Sequence, residues 1–578
     1  MQSESFIVGK DASLESSINT MQAKLQALGF HIEERSWLNP VDGIWSVHVR
    51  DRDCPLMFTN GKGASKLASL ASALGEYFER LSCNYFWSHY YLGQTYAESD
   101  ARAFVHYPQE QWFVPGEDGA WPQALLTPEL QQFYNPRGSI DANTLVDFNS
   151  GNSERGICAI PYVRQRDQAV VYFPVNVIAN LYVSNGMSAG NTQAEARTQA
   201  LSEIFERHIK FRIISEGLCL PDVPEDVINR YPGIAAGIKG LRAAGFGILV
   251  KDASLGGQYP VMNVTLLNPK DQGVFSSFGA HPRFEIALER ALTELLQGRA
   301  LDVLDGFPEA GFDLEEIASS PNIEIHFVDS SGIISWNFLG SRPDFAFNDW
   351  NFSSSTAEDY AWLVEKVHAS GHDIYVADFT HLGVYACRTL VPGMSEIYPI
   401  DELEWENNSV ANPIREAICN LSELDNGECS DLLDTLNESG LTDERLVAAL
   451  IGLAPGDDAF WKDLRVGELK TLLALACASE EAIAEGCEWI RHFGQINAER
   501  RRVYGCIESL QKMGDATCFD SALQSLYGAE TLRQADALLK GELRFFDQPS
   551  LGLDMANCAM HQRLLAGYGK LHKGAQPA

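Results

Sequence analysis

A stripe of glutamates in the segment from Ser184 to Lys210 carries the residue types best suited to chemistry. The segment reads SNGMSAGNTQAEARTQALSEIFERHIK, a loop that contains glycine followed by an uninterrupted helical pattern. At about 100° per residue, one side of this helix carries Glu195, Gln199, Ser202, Glu203 and Glu206. Like charges three or four positions apart repel by about 0.2–0.5 kcal/mol per pair. The stripe therefore predicts a neighbouring cation, either an arginine such as Arg197 or Arg207 or a divalent metal ion.

The same helix also has a simpler interpretation. Thr192 and Glu195 have the spacing of a capping box, in which the glutamate side chain serves only the backbone at the start of the helix. A face that is rich in glutamate is also commonly a solvated surface. The sequence of this helix alone leaves both interpretations open.

Two further helices repeat the pattern and favour a shared polar site. In GKGASKLASLASALGEYFERLS, residues Ser72, Glu76 and Glu79 stand at positions i, i+4 and i+7. This helix ends in GEYFERLS, which is similar to SEIFERHI in the segment above. A third helix, FEIALERALTELLQGR, places Arg290 and Glu294 on one stripe. Three acidic helices interleaved with arginine are difficult to explain as solvent-exposed surface alone.

A nucleotide with magnesium suits these residue types. Mg²⁺ prefers oxygen ligands and is commonly bound by a few carboxylates together with substrate phosphates. Arginines and the amino ends of helices that follow glycine loops bind phosphate oxygens. The sequence contains no GxxxxGK[ST] loop, so a nucleotide here would be held largely through metal.

At these residues the chain resembles the YcaO family. The motifs similar to those with which the family binds ATP are Ser72-xxx-Glu76-xx-Glu79, Thr192-xx-Glu195-xxx-Gln199 with Glu203 and Glu206, and the helix of Arg290 and Glu294. The segment DFTHLGVYACRTLVPGMSEIYP, with its Pro392-Gly393 turn, resembles the family's closing strand. The resemblance covers about residues 1–400 and is closest to the stand-alone bacterial members.

The resemblance implies ATP and Mg²⁺ as cofactors and a set of residues that bind them. The implied metal ligands are Glu76, Glu79, Glu195, Glu203, Glu206 and Glu294. The implied nucleotide contacts are Lys10, Ser17, Ser72, Arg80, Ser188, Asn191, Gln199, Arg207 and Arg290. From spacing alone Lys10 would be a surface lysine, and the sequence assigns no catalytic base or nucleophile.

The resemblance also implies a function. Family enzymes use ATP to phosphorylate an amide oxygen, so that a nucleophile replaces it and yields azolines, amidines or thioamides. The stand-alone bacterial type is associated with β-methylthiolation of an aspartate in small-subunit ribosomal protein twelve, as an accessory factor to the radical enzyme RimO. We take an ATP- and Mg²⁺-dependent accessory protein of this kind as the leading hypothesis. The alternatives are a peptide-backbone cyclodehydratase or thioamide synthase, and a nucleotide-sensing scaffold that recruits partners.

Azoline-forming family members have a proline-rich carboxyl terminus that reaches the active site. This chain ends LHKGAQPA, in which Pro577 is the single proline. The difference favours the stand-alone type, which does not form heterocycles.

Composition limits the partners and the compartment. The formal net charge of −34 argues against binding nucleic acid through its phosphates, and an acidic surface could instead attract a basic ribosomal protein or simply confer solubility. No signal peptide or membrane span is recognisable. The twelve cysteines include no CxxC pair, and Cys83 and Cys158 are expected to be buried. We expect a cytoplasmic homodimer.

The resemblance and the order of predicted elements give an α/β (α+β) YcaO-type core whose motif helices pack on sheet. We expect a helix near Ser13–Leu28 and another near Ala357–Ser370, with few regular elements in residues 107–157. Strands are expected in HIEERSWL, IWSVHVR, VVYFPVNVIANLYVS, PVMNVTLLN, NIEIHFVD, DIYVADFT and VYACRTLV.

The composition changes after about Asn408, where long amphipathic helical patterns begin. They predict an all-α, tetratricopeptide-like domain over residues 409–578, although no clean repeat can be counted. Such a domain commonly binds other proteins, and a packing or dimerisation role is the alternative. Residues 1–408 then form the catalytic domain, and we expect them to fold without the helices.

Overall fold

The structure is a computed structural model that describes residues 4–98, 104–147, 149–151, 153–401, 403, 410–513 and 516–574. The helices of the first 401 residues are α1 Leu14–Ala27, α2 Lys66–Ser82, α3 Gln94–Glu98, α4 Pro128–Tyr134, α5 Val175–Val177, α6 Gln193–Glu216, α7 Glu225–Ile228, α8 Pro232–Ala243, α9 Phe284–Leu295, α10 Leu314–Ile317, α11 Ser320–Val328 and α12 Thr356–Ala369. The motif helices of the sequence are α2, α6 and α9.

The strands of the described chain form three antiparallel sheets. Their bounds are β1 Ile32–Val41, β2 Ile44–Asp51, β3 Phe58–Gly63, β4 Gln111–Phe113, β5 Ile157–Arg164, β6 Val170–Pro174, β7 Met187–Gly190, β8 Gly247–Asp252, β9 Val261–Leu267, β10 Val274–Ala280, β11 Tyr375–Phe379 and β12 Tyr385–Leu390. The sheet orders are β1-β2-β3, β10-β9-β8 and β4-β5-β11-β12-β7, and β6 also pairs with β5.

Each motif helix directly follows a strand: α2 follows β3, α6 follows β7 and α9 follows β10. In two of these pairs, a glycine on the strand lets the backbone of the helix pack closely against it. A Cβ on Gly61 of β3 would lie 2.0 Å from the Ser69 carbonyl oxygen of α2. A Cβ on Gly279 of β10 would lie 2.4 Å from the Ala291 backbone nitrogen of α9. Because glycine has no side chain, α2 and α9 lie directly on their strands. This close packing fixes where the polar stripes of both helices stand.

Most of the expected elements are confirmed. The amino-terminal helix begins after its cap, Ser13, whose side chain accepts a hydrogen bond from the Ser16 backbone nitrogen. The helix predicted at Ala357–Ser370 is α12, and residues 107–157 contain few regular elements. The mixed α and β core that the sequence predicts is therefore present, with its motif helices packed on sheet.

One predicted strand is confirmed only in its first five residues, and another is wrong. The strand expected in VVYFPVNVIANLYVS ends at Pro174, after which the chain forms α5 and a π-helix over Ile178–Tyr182. The segment NIEIHFVD lies in helix α11, where Asn322 donates to the carbonyls of Ile317 and Ile333. Short apolar runs do not separate strand from buried helix by periodicity, and tertiary hydrogen bonds decide between them.

Beyond residue 410 the described chain is helical. Its helices are α13 Asn412–Cys419, α14 Asn426–Glu438, α15 Val447–Ile451, α16 Ala459–Asp463, α17 Val466–Ala476, α18 Glu480–Phe493, α19 Ala498–Met513, α20 Asp520–Tyr527, α21 Ala529–Leu539 and α22 Ala559–Gly574. Neighbours in sequence pack on one another around a core of their own, to which Leu469, Leu473 and Ile507 contribute. Nowhere in the described chain is a helix both long and apolar enough to cross a membrane.

The last helix, α22, returns to the amino-terminal region. Leu564 and Tyr568 share one buried apolar cluster with Tyr77 of α2 and with Trp87. The Trp87 indole nitrogen donates to the Leu564 carbonyl at 2.9 Å. This packing argues against the expectation that residues 1–408 fold without the helices, because α22 contributes apolar side chains to the cluster that contains the first motif helix.

Candidate nucleotide and metal site

Arginines on the same helices hold two of the glutamates of α2 and α6. The Glu76 carboxylate accepts from Arg80 at 2.5 Å, and Glu203 pairs with Arg207 at 2.8 Å. In both pairs the arginine follows the glutamate by four residues, one turn further along the helix. The arginines interleaved in the sequence thus neutralise part of each acidic stripe.

Glu79 forms no ion pair with any residue that the structure describes. Burial, followed by the negative charges of Glu203 and Glu76, raises the pKa of Glu79 well above its usual value. Burial also raises the pKa of Glu203, against the opposing effect of Arg207. The stripes of α2 and α6 therefore face each other closely enough for their carboxylates to repel.

Helix α9 completes this site with one arginine and one glutamate. Arg290 donates to the Gln199 side-chain oxygen of α6, and its Nη2 lies 3.9 Å from Oε2 of Glu206. Glu294, one turn beyond Arg290, pairs with Lys62 of β3. The structure therefore brings the polar stripes of all three motif helices together.

Lys62 is a site residue that the sequence reasoning missed. Burial and the nearby Arg290 lower the pKa of Lys62 to about 8, although Glu206, Glu76 and Glu203 act in the opposite direction. Its signal in the sequence was a lysine between two glycines, directly before the first motif helix.

Lys210 is a second missed residue, four positions after Glu206 on α6. It is 6% exposed, and its ammonium group donates to Ser330 Oγ at 2.7 Å. Burial lowers the pKa of Lys210 to about 7, against the favourable effect of Glu206. The sequence did contain a signal for Lys210, because this residue continues the polar stripe of α6 by one further turn.

The remaining predicted residues near the start of α6 form a separate cluster. Glu195 is 4% exposed and accepts from the Lys10 ammonium group at 3.1 Å and from the Asn191 amide at 2.9 Å. The Ser17 hydroxyl donates to Asn191 Oδ1 at 2.7 Å. Thr192 caps the backbone of Glu195, but the Glu195 carboxylate binds Lys10, Asn191 and the Asp11 backbone nitrogen. A capping role therefore does not explain this glutamate.

Two predicted residues, Ser72 and Ser188, make no described contact with the members of either charged cluster. Ser72 is exposed on α2, one turn before Glu76. Ser188 is buried in β7, opposite Cys387 of β12. The structure places both beside the motif helices without joining them to the charged cluster.

Within the described residues, one group of three side chains has possible metal-ligand atoms within 4.8 Å of one another. This group does not include any of the motif glutamates. The group is His31, Asp51 and Asp53, and the Lys570 ammonium group already lies 3.3 Å from Asp51 and 3.0 Å from Asp53. The motif glutamates do not form such a group, because several are drawn to their own arginine or lysine.

The donor set nevertheless fits Mg²⁺ with a phosphorylated nucleotide. Arg207 Nη1 and Arg290 Nε are buried and have no hydrogen-bond partner in the described structure, and Glu79 has no cation. Planar guanidinium groups bind phosphate oxygens through paired hydrogen bonds, and carboxylates are the protein ligands that Mg²⁺ takes. A bound Mg²⁺ would neutralise carboxylate and phosphate charge together.

Two family models match this chain. Residues 60–395 match the YcaO cyclodehydratase domain, described as ATP- and Mg²⁺-binding, and residues 411–576 match the YcaO cyclodehydratase C-terminal domain. The cofactors expected from the motifs, ATP and Mg²⁺, are those of the matched domain. The helices beyond residue 410 correspond to the second domain.

Two bacterial proteins are similar over nearly the whole chain. The Escherichia coli (strain K12) protein named "Ribosomal protein S12 methylthiotransferase accessory factor YcaO" is 48% identical over 579 residues, which cover 99% of this chain and 98% of that protein. An uncharacterized protein of Haemophilus influenzae is 47% identical over 583 residues, which cover 99% of each chain.

Solved structures with a similar fold include YcaO from Methanopyrus kandleri bound with AMPPCP and Mg²⁺. It is 16% identical with a TM-score of 0.42, and the match covers 68% of this chain and 95% of that one. A heterocyclase in complex with substrate and cofactor is 18% identical with a TM-score of 0.46, covering 68% of this chain and 55% of that one. From the family models and the full-length relatives, the chain belongs to the YcaO family.

Proposed function

We propose that this protein hydrolyses ATP with Mg²⁺ and assists β-methylthiolation of an aspartate in ribosomal protein S12, together with a methylthiotransferase of the RimO type. The observation that carries the proposal is the 48% identity to the Escherichia coli accessory factor, which extends over 99% of this chain and 98% of that protein. A relative that is similar over both domains supports a shared role for the helical region as well.

In this proposal the metal ligands are the glutamates of the three stripes and of the Glu195 cluster: Glu76, Glu79, Glu195, Glu203, Glu206 and Glu294. The nucleotide contacts are Lys10, Ser17, Ser72, Arg80, Ser188, Asn191, Gln199, Arg207 and Arg290. The guanidinium nitrogens of Arg207 and Arg290 that lack a partner support a role in phosphate binding. The raised pKa of Glu79 supports a role for this glutamate in binding a cation. We add Lys62 as a residue that would orient Glu294.

The whole protein then consists of a catalytic domain, residues 1–408, and a helical partner-binding domain, residues 409–578. The net charge of −34 favours a basic protein substrate, such as a ribosomal protein, over contact with nucleic acid. We place the protein in the cytoplasm, as a homodimer. Sedimentation of the purified full chain would test the oligomeric state directly.

The decisive test is the modification state of ribosomal protein S12 in a strain that lacks this gene. Mass spectrometry should show loss of the methylthio group from the aspartate, and the wild-type gene should restore it. Glu203→Gln should fail to restore it, and should lower ATP hydrolysis by about two orders of magnitude while the apo melting temperature stays close to that of wild type.

The matched control is Glu530→Gln, because Glu530 pairs with Arg533 at 2.6 Å on the exposed face of α21. This variant should restore modification fully. Normal S12 modification in the deletion strain would overturn the proposal.

Cyclodehydratase or thioamide synthase activity is the second candidate, because the matched domain is named for cyclodehydration. Azoline or thioamide in a cellular peptide that disappears with the gene would favour this candidate. The third candidate, a nucleotide-sensing scaffold, predicts ATP binding without any turnover in the presence of the partners.

A further inference from the structure

A small cavity lies just beyond the carboxyl end of α2 and has no role in the function proposed above. Its volume is about 40 Å³, room for about three water molecules or one carboxylate group. Asn84 follows α2, Tyr162 lies on β5 and Arg388 lies on β12, and all three line the cavity. These side chains belong to residues that are only 4%, 0% and 5% exposed.

Each of these three residues presents a buried polar atom that lacks a partner. Arg388 Nε, the Tyr162 hydroxyl and Asn84 Oδ1 form no hydrogen bond in the described structure. An unsatisfied buried polar group costs about 1–3 kcal/mol, and more when it is charged. Two of the three, Arg388 Nε and the Tyr162 hydroxyl, can donate, and they indicate a ligand with acceptor oxygens. Asn84 Oδ1 only accepts, so its partner must carry a hydrogen, as a water molecule does.

The charge of the cavity wall indicates what kind of ligand this is. Arg388 forms no ion pair with a described residue, and its Nη2 donates to the backbone carbonyls of Ile178, at 3.3 Å, and Val183. The acid in the wall, Asp147, is already bound by His106 at 2.7 Å. A buried guanidinium without an ion-pair partner favours negative charge in the ligand.

The other titratable groups of the wall do not supply that charge. Burial raises the pKa of the Cys83 thiol, although the nearby Arg388 opposes the shift. Burial likewise raises the pKa of the Tyr162 hydroxyl against the effect of Arg388. Both groups are therefore neutral at physiological pH, and Tyr162 is a hydrogen-bond donor toward an anion.

The cavity adjoins the candidate nucleotide site. Cys83, in its wall, lies one helical turn beyond Glu79, and the Arg80 guanidinium lies 4.8 Å from the centre of the Tyr85 ring, which also lines the cavity. Val183, which also lines the cavity, has φ 51° and ψ −112°, a backbone conformation that is strained for a β-branched residue. A group bound here would therefore lie beside the carboxyl end of α2, which carries Glu79 and Arg80.

We propose that this cavity binds a carboxylate group, with Arg388 and Tyr162 as donors to its oxygens. A carboxylate matches both the planar guanidinium and the missing negative charge, whereas a neutral amide would leave Arg388 uncompensated. The carboxylate is that of the aspartate in the protein substrate. This last identification rests on the proposed function, whereas carboxylate binding itself does not.

The test uses the full chain and acetate as the probe. At constant ionic strength, replacing chloride with acetate should raise the melting temperature, and acetamide should not, because a ligand that binds the folded state stabilises it. Arg388→Gln would remove the charge but also the hydrogen bonds to Ile178 and Val183, so it could fail to fold. Tyr162→Phe removes a hydroxyl without a partner, so its fold should survive.

Tyr162→Phe should weaken acetate binding by about tenfold, as expected for one hydrogen bond to a charged group. The matched control is Tyr77→Phe, since the Tyr77 hydroxyl is also buried without a partner but does not line the cavity. Equal stabilisation by acetate and chloride, or an unchanged acetate affinity in Tyr162→Phe, would overturn the proposal.

A capped peptide that spans the modified aspartate of S12, and its asparagine counterpart, separate the sources of the carboxylate. Binding of the aspartate peptide alone, weakened by Tyr162→Phe, supports the substrate assignment. Acetate binding without peptide binding supports a free small carboxylate and overturns that assignment. Neither result alters the S12 measurement in the deletion strain, so failure here is distinguishable from failure of the proposed function.

Discussion

Individual charges in the site compensate one another only in part. Arg80, Arg207 and Lys62 each neutralise a neighbouring glutamate, but Glu79 has no cation and the guanidinium of Arg290 retains a free nitrogen. Compensation of this kind stabilises a cluster of partly buried carboxylates in the absence of ligand. The same charges remain available to a metal ion and a phosphate group, because the pairs are only partly buried and can be rearranged.

Arg290→Lys tests whether Arg290 binds phosphate or only holds the empty site together. Lysine keeps the charge and loses the planar pair of donors. A phosphate role predicts about ten- to a hundredfold weaker ATP binding, because one charge-assisted hydrogen bond is worth about 1.5–3 kcal/mol. The apo melting temperature should stay nearly unchanged, since the ion pair with Glu206 spans 3.9 Å and a lysine ammonium group is also a donor for Gln199.

Calorimetric titration of ATP and apo melting curves measure both quantities. Arg212→Lys is the control, because Arg212 makes an exposed ion pair with Glu216 at 3.0 Å and should bind ATP normally. Unaltered ATP affinity with a lowered melting temperature for Arg290→Lys would show a purely structural arginine.

Strands position the site through their contacts with the helices that follow them. Glycines in β3 and β10 let the backbones of α2 and α9 lie against the sheet, so the stripes of Glu76 and Arg290 point to one place. The positions of these two helices therefore depend on glycines in the strands as well as on the amphipathic sequences of the helices. Gly61 and Gly279 thus determine how closely α2 and α9 approach their strands.

Gly279→Ala should disturb the site from outside it. The new Cβ would lie 2.4 Å from the Ala291 nitrogen and 2.5 Å from the Ala287 oxygen, both backbone atoms of α9. Helix α9 must then shift, at a cost of about 1–3 kcal/mol, and the ATP affinity should fall with the melting temperature.

Gly75→Ala is the matched control for Gly279→Ala. A Cβ at this position on α2 meets no atom within 4 Å, so alanine should stabilise the helix by about 0.5–1 kcal/mol and leave ATP binding unchanged. If both variants behaved alike in melting and titration, the close contact of β10 with α9 would not control the site.

The sequence predicted the three motif helices and the convergence of their stripes because helical periodicity and repeated motifs are local signals. It could not give the pairing of Lys10 with Glu195, which joins residues 185 positions apart. It also mistook α11 for a strand, because tertiary hydrogen bonds to Asn322 decided that segment. Lys62 was missed for the same reason, since its partner Glu294 is brought to it only by the fold.

Across the whole molecule, the two ends of the chain depend on each other. Helix α22 shares a buried apolar cluster with the first motif helix, and His561 near its start connects two regions of the chain. The His561 Nδ1 atom accepts from the Ala454 backbone nitrogen at 3.1 Å, while Nε2 donates to the Tyr91 carbonyl at 2.9 Å. The bond from Ala454 requires the neutral imidazole, because a protonated Nδ1 cannot accept.

His561 should make the stability of the protein sensitive to acid. Burial lowers the pKa of His561 from 6.5 to about 4, against the opposing effect of the hydrogen bond to the Tyr91 carbonyl. The unfolded chain therefore binds the proton first, so this contribution is complete above about pH 6.5 and is lost as the pH falls towards 4. His561→Gln should melt lower at pH 7 and lose less on going to pH 5 than wild type does.

His492→Gln is the control in these melting curves, because His492 is exposed on α18 and should follow the wild-type pH dependence. A loss between pH 7 and pH 5 that is identical in His561→Gln and wild type would show that His561 does not carry this effect.

A chain that ends at residue 408 should fold poorly and bind ATP weakly, even though all three motif helices lie before that residue. It lacks Leu564, Leu565, Tyr568 and Leu571, each at most 3% exposed in the cluster that covers α2. Their loss would leave Tyr77 and Trp87 open to water, on the side of α2 opposite its glutamates. Soluble yield, melting temperature and ATP affinity measure the effect.

The full-length variant Tyr568→Ala gives a graded form of the same experiment. It should lower stability by about 3–5 kcal/mol, as for other large buried aromatic side chains, and should weaken ATP binding because Tyr77 and Glu76 are neighbours on α2. Leu526→Ala is the control, since Leu526 is 73% exposed in the same helical region.

A soluble chain of residues 1–408 that binds ATP as tightly as the full protein would show that the helices are an independent appendage. A destabilised chain that regains ATP binding when residues 409–578 are added in trans would show that α22 completes the catalytic domain.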